Sequence, residues 1–313
     1  MASEYRIMDY PEKSWSISKM KVIDNCFREY YYTYYGSHNG WLYQSTDEQK
    51  ISWRLKKLTN IWIMFGDKLH ELIKSLVKDD GSEINVGEIK EHMRVKLNLG
   101  VKESLQKYRN GDWDEYPKGE MLQEYYYGEK LKEKDVEEIK KRIESCTKGL
   151  IVSKSYNEIK NTAKEILEVD EEKFDFIFVS GIKVYALIDV LYIDEKGNYV
   201  IVDWKTGQFS EHDKEQLMVY VLYVMERYKV PIDKVIGRLE YLLIGENYEY
   251  KFNLDDIIEI NNRINMDLNV INAFLEDKDK NKPRHKEHFL MCDNISKCRK
   301  CKFRKLCLNE EEI

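Results

Sequence analysis

The sequence has no apolar run of membrane-spanning length, and its opening Met-Ala-Ser-Glu-Tyr-Arg lacks the hydrophobic core of a signal peptide. These absences argue against a spanning or secreted chain and lead to the expectation of a cytoplasmic protein. Repeats of solenoid length are lacking as well. So is an excess of positive charge: the net charge is -6, which counts against a nucleic-acid binder that is basic as a whole. The charge is unevenly spread, however. Lys297, Arg299, Lys300, Lys302, Arg304 and Lys305 cluster near the C-terminus, while acids crowd the stretch from Glu120 to Glu172. Local basic surface is what tracks phosphates.

What is present is a chain of 313 residues, 42% hydrophobic, 35% charged and 12% aromatic, enough for one large or two small folded domains. In a reducing compartment its six cysteines point to a metal or cluster rather than to disulfides.

The stretch from Val184 to Tyr220 carries the most information. Val184–Ile193 and Tyr199–Gln208 are rich in β-branched and aromatic residues, and the D-E-K-G-N turn between them is short, which predicts a hairpin followed by a helix. Asp203 and Lys205 are two apart and so share a strand face. A five-residue loop over 194–198 pairs Ile193 with Tyr199 and, counting back, sets Asp189 opposite Asp203. A one-residue slip would turn Asp189 to the other face. Two carboxylates and an ammonium inside apolar runs are costly unless something compensates. Mg2+ or Mn2+ is the economical compensation, with the lysine supplying a point charge for a phosphate or an attacking water. The bland alternative is a solvated Asp203 and Lys205 pair on an edge strand. Gln216 and Tyr220, one helical turn apart, share a face.

Ile188-Asp189, V-D-W-K-T-G at Val202–Gly207 and Q-L-M-V-Y at Gln216–Tyr220 resemble the active-site core of the PD-(D/E)XK nucleases, in particular the RecB-like branch. The resemblance implies an α/β, restriction-endonuclease-like mixed central sheet flanked by helices. It also implies a catalytic set of Asp189, Asp203 and Lys205, with Gln216 and Tyr220 holding the lysine and contacting the substrate strand. Gly66–His70 has the form of that branch's G-x-x-x-H motif; a helical histidine read alone is more often a surface or core residue. The motif implies that His70 joins Asp189, Asp203 and the main-chain carbonyl of Trp204 around Mg2+ or Mn2+. Relatives often carry Gly three residues before the first Asp and Arg directly after it, where this chain has Ala186 and Val190. The missing arginine puts one backbone contact in doubt, not metal binding.

Cys298, Cys301 and Cys307 have the spacing C-x2-C-x5-C, and three thiolates need a fourth ligand. With Cys292 the set is local and zinc fits; with Cys26 the site joins the two ends of the chain. The second arrangement resembles the iron-sulfur nucleases related to RecB, AddB and CRISPR-associated nucleases among them. It implies a structural 4Fe-4S cluster on Cys26, Cys298, Cys301 and Cys307.

The chain then divides into 1–80, a helical region giving Cys26 and His70; 81–170, a helical insertion; 171–280, the nuclease core; and 281–313, the iron-sulfur segment. Expected helices cover a serine-capped run through Val22, Cys26, Tyr30 and Tyr34 to Gly36, then Ile51–Lys78, Ile89–Asn98, Lys102–Arg109, Leu131–Val169, Glu211–Tyr228 and Leu254–Phe274. Expected strands outside the hairpin are Phe174–Val179, Val235–Leu243 and Tyr248–Phe252, and 79–87 reads as a polar break. The tyrosines of 30–35 read as core more than as a base-stacking platform. The functional expectation is a metal-dependent DNA nuclease, an exonuclease on single strands or ends, with a helicase or other DNA-processing partner. The competing readings are a DNA-binding scaffold that does not cut and a zinc-stabilised interaction module.

Overall fold

The computed structural model describes residues 7–79, 85–169, 175–210 and 212–308. The chain enters through a two-residue strand, β1 (Ser14–Trp15), into α1 (Ile17–Asn25), where the Ser16 hydroxyl accepts the Lys19 N–H and caps the first turn. The sequence predicts one helix from here to Gly36. Instead the helix stops at Cys26, which is extended (φ -167°, ψ 124°) and opens a second helix, α2 (Phe27–Tyr31), continued by a π-turn over Tyr32–Gly36. Tyr30, Tyr32 and Tyr35 are buried, so the tyrosine stripe is core.

Two helices, α3 (Asp47–Lys56) and α4 (Ile61–Lys78), replace the single one expected over Ile51–Lys78, because the Asn60 side chain accepts from Trp62 and Ile63 N–H and starts a new N-terminus. Conversely α5 (Val86–Asn110) fuses two expected short helices. Residues 99–101, left between the two expected helices, lie mid-helix, and a Cβ on Gly100 would come 2.6 Å from the Met64 sulfur, so the glycine permits close packing of α4 on α5. The expected polar break over 79–87 falls mostly outside the described residues. The helices α6 (Gln123–Tyr126), α7 (Glu133–Val152) and α8 (Lys154–Asn161) follow. The helix expected to reach Val169 ends before it: Glu165–Val169 is strand β2, whose backbone is claimed by pairing with a distant strand.

Next come β3 (Phe176–Val179), β4 (Ile182–Tyr185), β5 (Val190–Ile193), β6 (Tyr199–Lys205), α9 (His212–Tyr228), β7 (Val235–Tyr241), β8 (Glu246–Lys251) and α10 (Leu254–Ala273). Phe174 and Glu211, the first residues of an expected strand and helix, lie outside the described residues. The sequence predicts one strand over Val184–Ile193. The chain instead leaves the sheet at 186–189, so that β4 belongs to a three-stranded sheet ordered β1-β4-β3 while β5 belongs to the main one.

The main sheet has five strands in the order β2-β5-β6-β7-β8. Within it β6 and β7 pair in parallel, with α9 as their crossover, and the other described pairs are antiparallel. Alternation along the strands divides the interior. Leu191, Ile201 and Leu239 face α9, α10 and the N-terminal helices, whereas Val190, Tyr192, Val200, Val202 and Trp204 face α4, α5, α7 and α8. A third cluster anchors the C-terminal segment, in which α11 (Ile295–Lys300) and α12 (Arg304–Cys307) flank Phe303. That ring is fully buried and stacks on Tyr32 at 5.6 Å between centroids.

Candidate active site

Asp203 and Lys205 occupy the alternate positions of β6 that face α9, since Val202 and Trp204 enter the opposite core. The strand register is the one the five-residue loop predicts: Ile193 pairs with Tyr199 and Val190 with Val202, so Asp189, just ahead of β5, comes level with Asp203. The break that takes the chain out of β4 leaves Asp189 free to turn its carboxylate onto β6. Its Oδ2 accepts the Trp204 main-chain N–H at 2.7 Å, and its Oδ1 lies 3.3 Å from His70 Nδ1.

His70 arrives on α4. One turn earlier, Gly66 passes so close to the end of β6 that a Cβ would stand 3.3 Å from Thr206 Oγ1, which gives the glycine of the G-x-x-x-H spacing a steric reason. Lys205 Nζ lies 2.6 Å from Asp203 Oδ2 and donates to Gln216 Oε1 at 2.9 Å, and Gln216 Nε2 donates to the Tyr220 hydroxyl at 2.6 Å. His70, Asp189, Asp203, Trp204, Lys205, Gln216 and Tyr220 thus line one cleft of about 950 Å³, which runs on to Ser16, Lys19 and Lys21 of the N-terminal segment.

Sequence reasoning missed Asp213. Its Oδ1 stands 3.5 Å from Lys205 Nζ, while Oδ2 accepts the Tyr241 hydroxyl at 2.9 Å and the Ser210 N–H at 3.0 Å. Its position one turn ahead of Gln216 was the available signal, since residues three apart on a helix share a face.

The groups perturb one another strongly. Burial opposes protonation of His70, but the Asp189 carboxylate outweighs it and pushes the imidazole up to about 9. Burial also works against the Asp189 charge, yet His70 and the Trp204 N–H hold it below the usual carboxylate range. Asp203 goes the other way: burial, with the Asp189 charge adding to it, prevails over Lys205 and pushes the carboxyl up to about 6. Burial disfavours the Lys205 ammonium, but Asp203 and Asp213 together raise its pKa. A perturbed set of this kind inside a cleft marks a candidate functional site.

The donor set fits a hard divalent cation. Asp203 is 4% exposed, and its buried Oδ2 is met among the described residues by the Lys205 ammonium alone, 2.6 Å away. A cation would satisfy that oxygen and remove the repulsion between the two carboxylates. Among the described residues no group of three or more His, Cys, Asp and Glu is already arranged about a metal position; His70 pairs with Asp189, and Lys205 with Asp203.

A second constellation lies apart from the cleft. Cys26, Cys292, Cys298, Cys301 and Cys307 line one small cavity with Phe303 and Met291. Cys292 and Cys298 are in contact, Sγ to Sγ 3.4 Å. Burial pushes the Cys307 thiol up to about 12 and, together with Cys292, Cys298 up to about 11; Cys301 is raised by burial too. Cys146 is a buried core residue of α7.

The model of the PD-(D/E)XK nuclease superfamily matches residues 14–308. The chain belongs to this superfamily, and its mixed sheet with flanking helices is the restriction-endonuclease-like fold. Phosphodiester hydrolysis is the reaction class that membership brings, usually with Mg2+ or Mn2+. No curated protein matches the chain. Among the described residues no helix is long and apolar enough to cross a membrane.

Proposed function

We propose that the chain is a metal-dependent deoxyribonuclease of the RecB-like branch, an exonuclease acting on single-stranded DNA or duplex ends. The observation that carries the reading is the convergence of Asp189, Asp203, Lys205 and His70 on one cleft. Asp189, Asp203 and His70, with the Trp204 carbonyl, would hold Mg2+ or Mn2+. The bound ion supplies Lewis acidity at the phosphate and a more acidic water. Lys205, steadied by Gln216 and Tyr220, orients the attacking water and offsets the charge that builds on the phosphorane-like transition state. Asp189 is kept ionised and aimed by the Trp204 N–H. The end-directed preference rests on the RecB-like motifs, and a helicase or other DNA-processing partner and a cytoplasmic setting belong to the same reading.

A 4Fe-4S cluster on Cys26, Cys298, Cys301 and Cys307 completes the proposal. Its support is that Cys26 lines the same cavity as Cys298, Cys301 and Cys307, while Cys292, which lines it too and touches Cys298, is the ligand of the local zinc alternative. The cluster would be structural, tying α2 to the tail.

End-labelled linear and closed circular single strands, incubated with Mn2+, test the assignment. Lys205→Ala is expected to lower cleavage of the linear strand by about 100-fold or more while circular dichroism stays unchanged. Full metal-dependent activity in that variant would overturn the role of Lys205, and equal cutting of circles would overturn the exonuclease reading.

A further inference from the structure

Lys205 and a divalent cation compete for the same carboxylate. The ammonium stands 2.6 Å from Asp203 Oδ2, a buried oxygen that no other donor among the described residues reaches, so a cation taking this oxygen would have to displace the lysine. For Asp203 Oδ2 to turn to a cation, Lys205 must release it, and a half-buried ammonium left without a counterion is disfavoured. Gln216 accepts one hydrogen bond but carries no charge. Asp213 is the second carboxylate in ion-pair contact with Lys205 among the described residues, 3.5 Å away and 3% exposed, with Asp189 acting on the lysine as well. Asp213 Oδ2 is fixed by the Tyr241 hydroxyl and the Ser210 N–H, which leaves Oδ1 on the lysine side. An acid in the first turn of α9 that merely holds Tyr241 and the Ser210 turn would account for the Oδ2 bonds. It would not account for a second buried carboxylate oxygen facing Lys205.

We propose that Asp213 is a positioning residue, a standby counterion that receives Lys205 when Asp203 turns to the divalent cation. The pair would exchange partners within the site: Lys205 moves from Asp203 toward Asp213, the cation takes Asp203, and each charge stays neutralised throughout. The lysine is then placed by Asp213 and Gln216 together, independently of the ligand set. This inference rests on the metal-dependent nuclease reading of the cleft.

The test is Mn2+ binding to the DNA-free full-length protein, followed by the electron paramagnetic resonance signal of free Mn2+, in a double-mutant cycle. Asp213→Asn should weaken Mn2+ binding by about tenfold, the order seen for groups in one ion-pair network. In a Lys205→Ala background the same substitution should change affinity by less than about twofold, because there is no longer an ammonium to relocate. Tyr241→Phe, which removes the Oδ2 hydrogen bond and leaves Lys205 untouched, should bind Mn2+ like the wild type. If Asp213→Asn does not fold, Asp213→Thr takes its place in the cycle. An equal loss in both backgrounds would reduce Asp213 to a distant charge and overturn the proposal, as would no loss in either. A wild type that binds Mn2+ and obeys the cycle but cuts no DNA would sink the nuclease reading and leave the counterion in place. A wild type that binds no Mn2+ would end both.

Discussion

In the cleft, most of the charged groups come from one hairpin and the helix after it, and each is met by a partner: Asp189 by Trp204 N–H and His70, Lys205 by Asp203, Asp213 and Gln216. In the cysteine cavity, Cys26 meets Cys298, Cys301 and Cys307 from the far end of the chain, and burial keeps the thiols of the last two in their protonated form. The first place is aimed by strand register and hydrogen bonds before any ligand arrives. The second brings thiols together by packing around Phe303, and on the proposed cluster reading a metal would draw out their charge. The cleft should therefore respond to charge changes and the cavity to loss of packing or of a ligand, each with little effect on the other.

The largest expected effect is at the cavity. After anaerobic purification, Cys26→Ala should lose all visible absorption, whereas Cys292→Ala should keep it. A colourless wild type whose zinc content falls with Cys292→Ala would favour the local zinc set instead. Next is packing: Phe303→Ala should cost about 3–5 kcal/mol in urea unfolding, because the ring is fully buried. Mn2+ affinity of the folded variant should match the wild type, and a matching loss there would break the separation of the two regions.

The smallest effect sharpens the far end of the cleft. Lys19 is buried, donates to the Ser14 carbonyl and hydroxyl at 3.0 and 2.9 Å, and sits 4.7 Å over the Tyr34 ring. Burial first, and Lys56 after it, bring its pKa down from 10.5 to about 8 against the pull of Glu12. Between those two values the unfolded chain holds a proton that the folded one has shed, so stability rises with pH across that window. Relative to Lys19→Met, the wild type should gain at most about 3 kcal/mol in urea unfolding across the window. A flat difference would show that the ammonium is solvated.

The sequence made the hairpin legible because strand alternation and turn length together determine which residues come level, and Ile193 against Tyr199 is the pairing they predict. The same local signals failed where distant partners decide. Val184–Ile193 looks continuous, yet β1 claims one half and β2 the other. Glu165–Val169 looks like the tail of a charged helix until β5 supplies its hydrogen bonds. Residues 99–101 look like a gap between two helices until Met64 packs against Gly100. In the site, Asp189, Asp203, Lys205, Gln216 and Tyr220 were visible from motif spacing, while Asp213 was not, because a lone acid at a helix start usually serves only the helix dipole.

Trp15 ties the first strand to the last long helix. It is fully buried, and its indole N–H donates at 3.0 Å to Asp267, 252 positions further along the chain. During synthesis this ring leaves the ribosome long before its seat in α10 exists, and the hairpin bearing the acids and the lysine emerges between the two. The Trp15–Asp267 bond that holds the Ser14–Lys19 wall of the cleft can form only once α10 has emerged.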